Sequence, residues 1–159
     1  MRSPDRIFWP LASVLVFADC ATKRAVEATV ALHADPKPLI ADLVRVTLAY
    51  NQGAAFSTHF GPYQRWVLIA VAVAMLVALA WWYRPAARAG RVAIIGLALV
   101  AGGAVGNVID RMMHGYVVDF LDFYVGNWHF PAFNVADSAI TLGAICLVLD
   151  ELRRVRRGK

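Results

Sequence analysis

Two uncharged runs limit what this chain can fold into. Residues 66–83 lie between Arg65 and Arg84, and residues 92–109 lie between Arg91 and Asp110. Each is 18 residues long, close to the ~20 apolar residues that carry a helix across a bilayer. Of the 159 residues, 60% are hydrophobic and 17% charged, against about 25% charged in an ordinary soluble domain. A soluble domain of this size has too little interior to hide so much apolar surface, and disorder needs low hydrophobicity. The expectation is an α-helical membrane protein forming one integral domain. The net charge of +5 then reads as a topology signal, and no nucleic-acid partner is expected.

Two shorter runs complete the set. Residues 7–18 end at Asp19, and residues 138–149 lie between Asp137 and Asp150, 12 uncharged residues in each. They reach spanning length if their polar flanks enter the membrane too. Four transmembrane helices follow, over about 7–26, 65–83, 92–111 and 133–152. The first is read as an uncleaved span, because Asp19 stands before Cys20 where a lipoprotein cleavage site needs a small residue. Cys20 and Cys146 read as small apolar helix residues, with no disulfide or metal-ligand spacing.

Basic residues set the orientation. Arg2 and Arg6 precede the first span, Arg84, Arg88 and Arg91 sit in the tight link between the second and third, and Arg153, Arg154, Arg156, Arg157 and Lys159 follow the fourth. The positive-inside rule puts them, and both termini, in the cytoplasm. The two outward links carry β-branched runs at 43–50 and 116–124, which read as strands. With Tyr116, Phe120, Phe123, Tyr124, Trp128 and Phe130 as an interface belt, they suggest a small extracytoplasmic β-sheet and loop cap.

On this topology the ionisable residues near membrane depth gather at one level, just under the outer surface. Such residues face the bundle interior or water and mark function. Asp19 and Lys23 are four apart on one helix face and can pair. Asn107 and Asp110 share a face, and Asp110 beside Arg111 is read as a fixed charge pair. Gly102 and Gly106 have the spacing of close helix packing. Asn51 and Gly53 open a turn after the first strand, with a polar side chain beside bare backbone that could bond an extended peptide. Residues 57–63 read as a mobile lid.

Asp119 and Asp137 have no evident cation partner. Two carboxyls sharing a site do not both ionise easily, so one keeps a proton while the other acts as a base. A hydrolytic dyad, a proton relay and structural acids all fit that description. A proton-coupled transporter is the alternative function, but the inner halves of the second and third spans offer no polar path. A noncatalytic scaffold gives no reason for two uncompensated acids at one depth. Zinc-protease spacing is absent, no metal or cofactor is expected, and the few serines lie in no nucleophile motif.

Taken together, Asp19-x-x-x-Lys23, Asn51-x-Gly53-Ala54-Ala55-Phe56, Gly102-Gly103-Ala104-x-Gly106-Asn107-x-x-Asp110-Arg111, Val118-Asp119-Phe120 and Phe133-Asn134-x-Ala136-Asp137 resemble the lipoprotein signal peptidases, the bacterial signal peptidase II family. The motifs run in the family's order over nearly the whole chain. The resemblance implies an aspartic endopeptidase of the bacterial inner membrane, active near its outer face as a monomer. It would cut signal peptides from prolipoproteins just before a diacylglyceryl-modified cysteine. It makes Asp119 and Asp137 the catalytic pair. Asn51, Gly53, Asn107, Arg111 and Asn134 would line the substrate site, with Asp19, Lys23 and Asp110 in support. Asp122 falls outside the motif.

Overall fold

The computed structural model describes residues 4–32, 34–40, 43–53, 61–156 and 158, with backbone alone for 84–89. Ala54, Ala55 and Phe56, residues 57–60 of the expected lid, and Arg2, Arg157 and Lys159 lie outside the described residues. The elements, in chain order, are α1 (Asp5–Thr29), β1 (Lys37–Ile40), β2 (Val44–Asn51), a 3-10 turn (Gly61–Tyr63), α2 (Gln64–Ala89), α3 (Arg91–His114), β3 (Val117–Val125), β4 (Trp128–His129) and α4 (Val135–Arg156).

Among the described residues, two helices are long and apolar enough to cross a membrane, over residues 61–83 and 91–114. They differ in where their apolar surface goes. α3 packs against α1, α2 and α4 and is the centre of the bundle, with Leu97 and Ala98 almost wholly buried. α2 touches α3 along one side and leaves Val71, Val77 and Trp81 bare, Trp81 to 89%. An uncovered apolar face of that extent marks a surface built for an apolar surrounding.

Small residues let the neighbours reach α3. A Cβ on Gly103 would fall on the carbonyl oxygen of Ala136 in α4, and one on Gly106 would lie 2.6 Å from Asp19 Oδ2 in α1. Gly102 faces α1 as well, 3.0 Å from the Ala12 carbonyl by the same measure. The Gly102–Gly106 pair thus serves α1, while Gly103, one residue on, serves α4.

The sheet is antiparallel in the order β1-β2-β3-β4. The two strands legible in the sequence are β2 and β3, each displaced by one residue from the expected range, and they pair with Ala49 opposite Asp119 and Asn51 opposite Val117. β1 and β4 carry too few residues to show an alternating pattern. Gly115, at φ 86°, ends α3 in the left-handed region that glycine enters without a Cβ penalty. Its N–H closes on Arg111 O at 3.1 Å, and β3 begins two residues later.

One expectation is corrected at the link between α2 and α3. Arg84 and Arg88 do not lie in a loop: α2 continues through Ala89, and Gly90 is the one non-helical residue before α3. Apart from Pro85 the 84–89 stretch is alanine and arginine, strong helix formers, and it extends the helix beyond its apolar part.

Candidate active site

The site is built where β3, the start of α4 and the ends of α1 and α3 converge. Asp119 projects from β3 and is buried. Asp122 lies three residues on, an odd step that turns it to the other face of a strand. There it pairs with Arg45 Nε at 2.7 Å. Phe133 joins β3 by a bridge to Leu121, its N–H donating to Leu121 O at 3.0 Å and its carbonyl accepting from Leu121 N–H at 2.8 Å. That bridge delivers the next residue, Asn134, beside Asp119.

Asn134 caps α4. Its Oδ1 accepts the Asp137 N–H at 2.9 Å, and Asp137 Oδ2 accepts the Asn134 N–H at 3.3 Å. This reciprocal pair is a capping box, with Asn and Asp in place of the commoner Ser and Glu. The Ala136 N–H finds Asp19 Oδ1 at 2.9 Å, and the Ser138 N–H finds Asn134 O at 3.2 Å. Two orphan donors of the first turn, the Ala136 and Asp137 N–H groups, are thereby satisfied by side chains that sequence motifs had singled out. Asp137 itself is half-buried.

The same Asn134 reaches the other carboxyl. Its Nδ2 donates to Asp119 Oδ1 at 2.7 Å, with Val118 O at 3.2 Å and Asn107 Oδ1 at 3.3 Å also near. Asn107 Nδ2 donates to Asp137 Oδ1 at 2.8 Å. Asn51 Nδ2 donates to Asp119 Oδ2 at 2.9 Å, while Asn51 Oδ1 accepts the Gly53 N–H at 3.0 Å in an Asx turn. All four carboxylate oxygens of Asp119 and Asp137 therefore receive N–H donors. Neither residue forms an ion pair within 4.0 Å among the described residues. Burial pushes the Asp119 carboxyl up to about 6, and the charge of Asp137 adds to this, against the lowering effect of the Asn51 and Asn134 donors and of Lys23.

Lys23 is the support beneath. Its buried ammonium lies 2.7 Å from Asp19 Oδ2, 2.9 Å from Asp110 Oδ2 and 3.1 Å from Asn107 Oδ1, one acceptor for each of its three protons. Asp110 Oδ2 also accepts the Val118 N–H at 3.1 Å, which ties α3 to β3. The expected Asp110–Arg111 pair does not form. Consecutive helix residues point about 100° apart and do not face each other, and Asp110 turns to Lys23.

Sequence reasoning missed Gln64 and Arg65. Gln64 is buried, and its Nε2 donates to the carbonyl of Gln52, next to Asn51. The available signal was a Gln-Arg pair opening an otherwise apolar helix.

A family model described as Signal peptidase (SPase) II matches residues 11–153. The chain belongs to the signal peptidase II family. A lipoprotein signal peptidase of Paraburkholderia phymatum is 47% identical over 150 residues, covering 92% of this chain and 87% of that relative. One from Burkholderia ambifaria is 45% identical over 149 residues with the same coverage. A bacterial membrane enzyme solved by the in meso method at 2.3 Å superposes with a TM-score of 0.80 at 28% identity, over 94% of this chain and 89% of that one. A second, at 1.9 Å, gives 0.76 at 29% identity, over 89% and 90%. As a member of this family the chain is an aspartic protease that removes signal peptides from prolipoproteins. The transporter alternative gains no support from these relatives.

Proposed function

We propose that Asp119 and Asp137 are the catalytic pair of this protease, and that Asp119 holds the proton at rest. The observation that carries the reading is Asn134, one residue whose backbone and side chain bond both carboxyls. The Asp137 carboxylate accepts a proton from water, and the water oxygen attacks the scissile carbonyl carbon. Protonated Asp119 hydrogen-bonds the carbonyl oxygen and gives it a proton as the tetrahedral species forms. The carboxyls then exchange roles: the proton gained by Asp137 goes to the leaving nitrogen, the C–N bond breaks, and Asp119 recovers its proton from the new hydroxyl. The products are a signal-peptide carboxyl and a free cysteine amine. Asn51, Gly53, Asn107, Arg111 and Asn134 line the substrate site, and Asp19, Lys23 and Asp110 hold it in shape.

All four helices cross the bacterial inner membrane, with both termini cytoplasmic and the sheet on the outer face, and the enzyme acts there as a monomer among lipids. At ~1.5 Å per residue, α1 (25 residues) and α4 (22 residues) are long enough to span. Their buried charges Asp19 and Lys23 and the half-buried Asp137 point to protein partners, as intramembrane charges require. The substrate cysteine carries diacylglycerol, and the cut falls just before it.

The test is cleavage of a diacylated prolipopeptide beside its unlipidated form by the wild type, Asp119→Asn and Asp137→Asn. Cutting of the lipidated form alone, lost in both variants, is expected. Normal turnover in either variant removes that residue from the chemistry.

A further inference from the structure

A cavity opens at the end of the β2–β3 ladder. The last paired residues are Asn51 and Val117; beyond them lies a space of about 250 Å³ lined by Gln52, Gly61, Gln64, Arg65 and Gly115. The lining is amide, guanidinium and bare glycine backbone, with no carboxylate among the described residues. Among the described residues Arg65 is the only cation in it.

Arg65 is held in place from two sides. One of its terminal nitrogens donates to the carbonyl of Met112 in the last turn of α3, and its guanidinium carbon lies 5.0 Å from the centroid of the Trp66 ring. Its Nε is buried and has no hydrogen-bond partner among the described residues. A fixed cation with a buried donor left open is costly unless an oxygen from a ligand completes it. The cavity is also joined to the Asp119 carboxyl. Gln64 holds the Gln52 carbonyl, and the preceding residue, Asn51, donates to Asp119.

We infer that this cavity is the subsite for the mature side of the substrate, with Arg65 Nε–H donating to a backbone carbonyl oxygen a few residues after the scissile bond. The inference rests on the proposed function and extends it. The signal peptide upstream of the cut is apolar and stays at membrane depth. The chain downstream is polar and must leave at the level where α2 begins, which is the level Arg65 marks. A guanidinium flanked by two amides suits peptide carbonyls.

The test compares two diacylated prolipopeptides: one ending as an amide at the cysteine, the other continuing for four residues. A charge-assisted hydrogen bond is worth roughly tenfold in affinity. The wild type is therefore expected to cut the extended peptide with about tenfold higher kcat/KM than the truncated one, through KM. In Arg65→Met that ratio falls towards one. Should Arg65→Met fail to fold, Arg65→Lys, which keeps the charge and lacks the Nε–H, carries the same comparison. A wild type that does not distinguish the peptides overturns the inference, and so does a variant that loses activity on both equally, the signature of a purely structural tie to Met112. A KM that depends on anionic phospholipid in the vesicle for both peptides, and loses that dependence in Arg65→Met, overturns it in favour of a lipid headgroup. The proposed function fails in a different way: neither peptide is cut, or Asp119→Asn cuts both.

Discussion

Asn134 Nδ2 lies 2.7 Å from Asp119 Oδ1, while the backbone N–H of the same Asn134 donates to Asp137. The two carboxyls are thus tied together by one residue whose other task is to start a helix. Asn134→Ser separates the tasks. Serine caps helices about as well as asparagine but is too short to reach Asp119. Thermal stability in detergent is expected to fall by about 1–3 kcal/mol, the cost of the buried acceptors left unpaired rather than of a lost cap, while kcat falls roughly 10²-fold, the scale of losing one preorganised donor. Unchanged kcat would mean that Asp119 is positioned without Asn134.

The raised Asp119 pKa fixes the sign of two pH effects. Folded Asp119 titrates at about 6 against 3.8 in the unfolded chain. Between those values the folded state binds more protons, so this residue's contribution to stability is fully present below pH 3.8 and is lost as pH rises through 6, about 3 kcal/mol in all. The proposed mechanism needs the Asp119 proton, so kcat/KM for the free enzyme is expected to fall above about pH 6. The limb in kcat should lie higher, because bound substrate displaces water from the carboxyl. The Asn51 donor lowers this pKa, so Asn51→Leu should move the kcat/KM limb to higher pH. A limb that moves down, or an activity that rises through pH 6, assigns the resting proton to Asp137.

Lys23→Met leaves Asp19 and Asp110 buried without their cation. Breaking such a cluster from one side costs about 3–5 kcal/mol, a large share of any domain's stability. Thermal unfolding in detergent should show it. A loss under 1 kcal/mol would mean that water already reaches the cluster.

Gly103→Ala places a methyl on the Ala136 carbonyl. Overpacking of this kind costs about 1–3 kcal/mol, and the displaced element is the first turn of α4, which carries Asn134 and Asp137. Turnover should therefore fall further than stability does, measured as kcat beside the melting temperature. Equal activity in Gly103→Ala would show that α4 yields without moving its N-terminus.

Much of this was legible in the sequence because charge is expensive at membrane depth. Asp19, Lys23, Asn107, Asp110, Asn134 and Asp137 stand out of apolar surroundings, and helix periodicity alone puts Asp19 and Lys23 on one face. The β-branched runs gave β2 and β3 to within a residue. The pairing among elements was not legible. Nothing in Asp110-Arg111 says that Asp110 turns away from its neighbour towards Lys23, since that depends on how α1 lies against α3. Asn134 looked like a lining residue; its capping of α4 emerges only when Phe133 is seen bridged to Leu121. Arg65 read as a span boundary, because its open Nε is a property of the folded cavity.

The capping box at the head of α4 makes helix nucleation and chemistry one event. Asp137 accepts the Asn134 N–H and, as proposed, takes the proton from water, so a fraying of a single helical turn dismantles the base along with the cap. A ligand that pried Val135–Asp137 out of register would silence the protease without approaching the scissile bond.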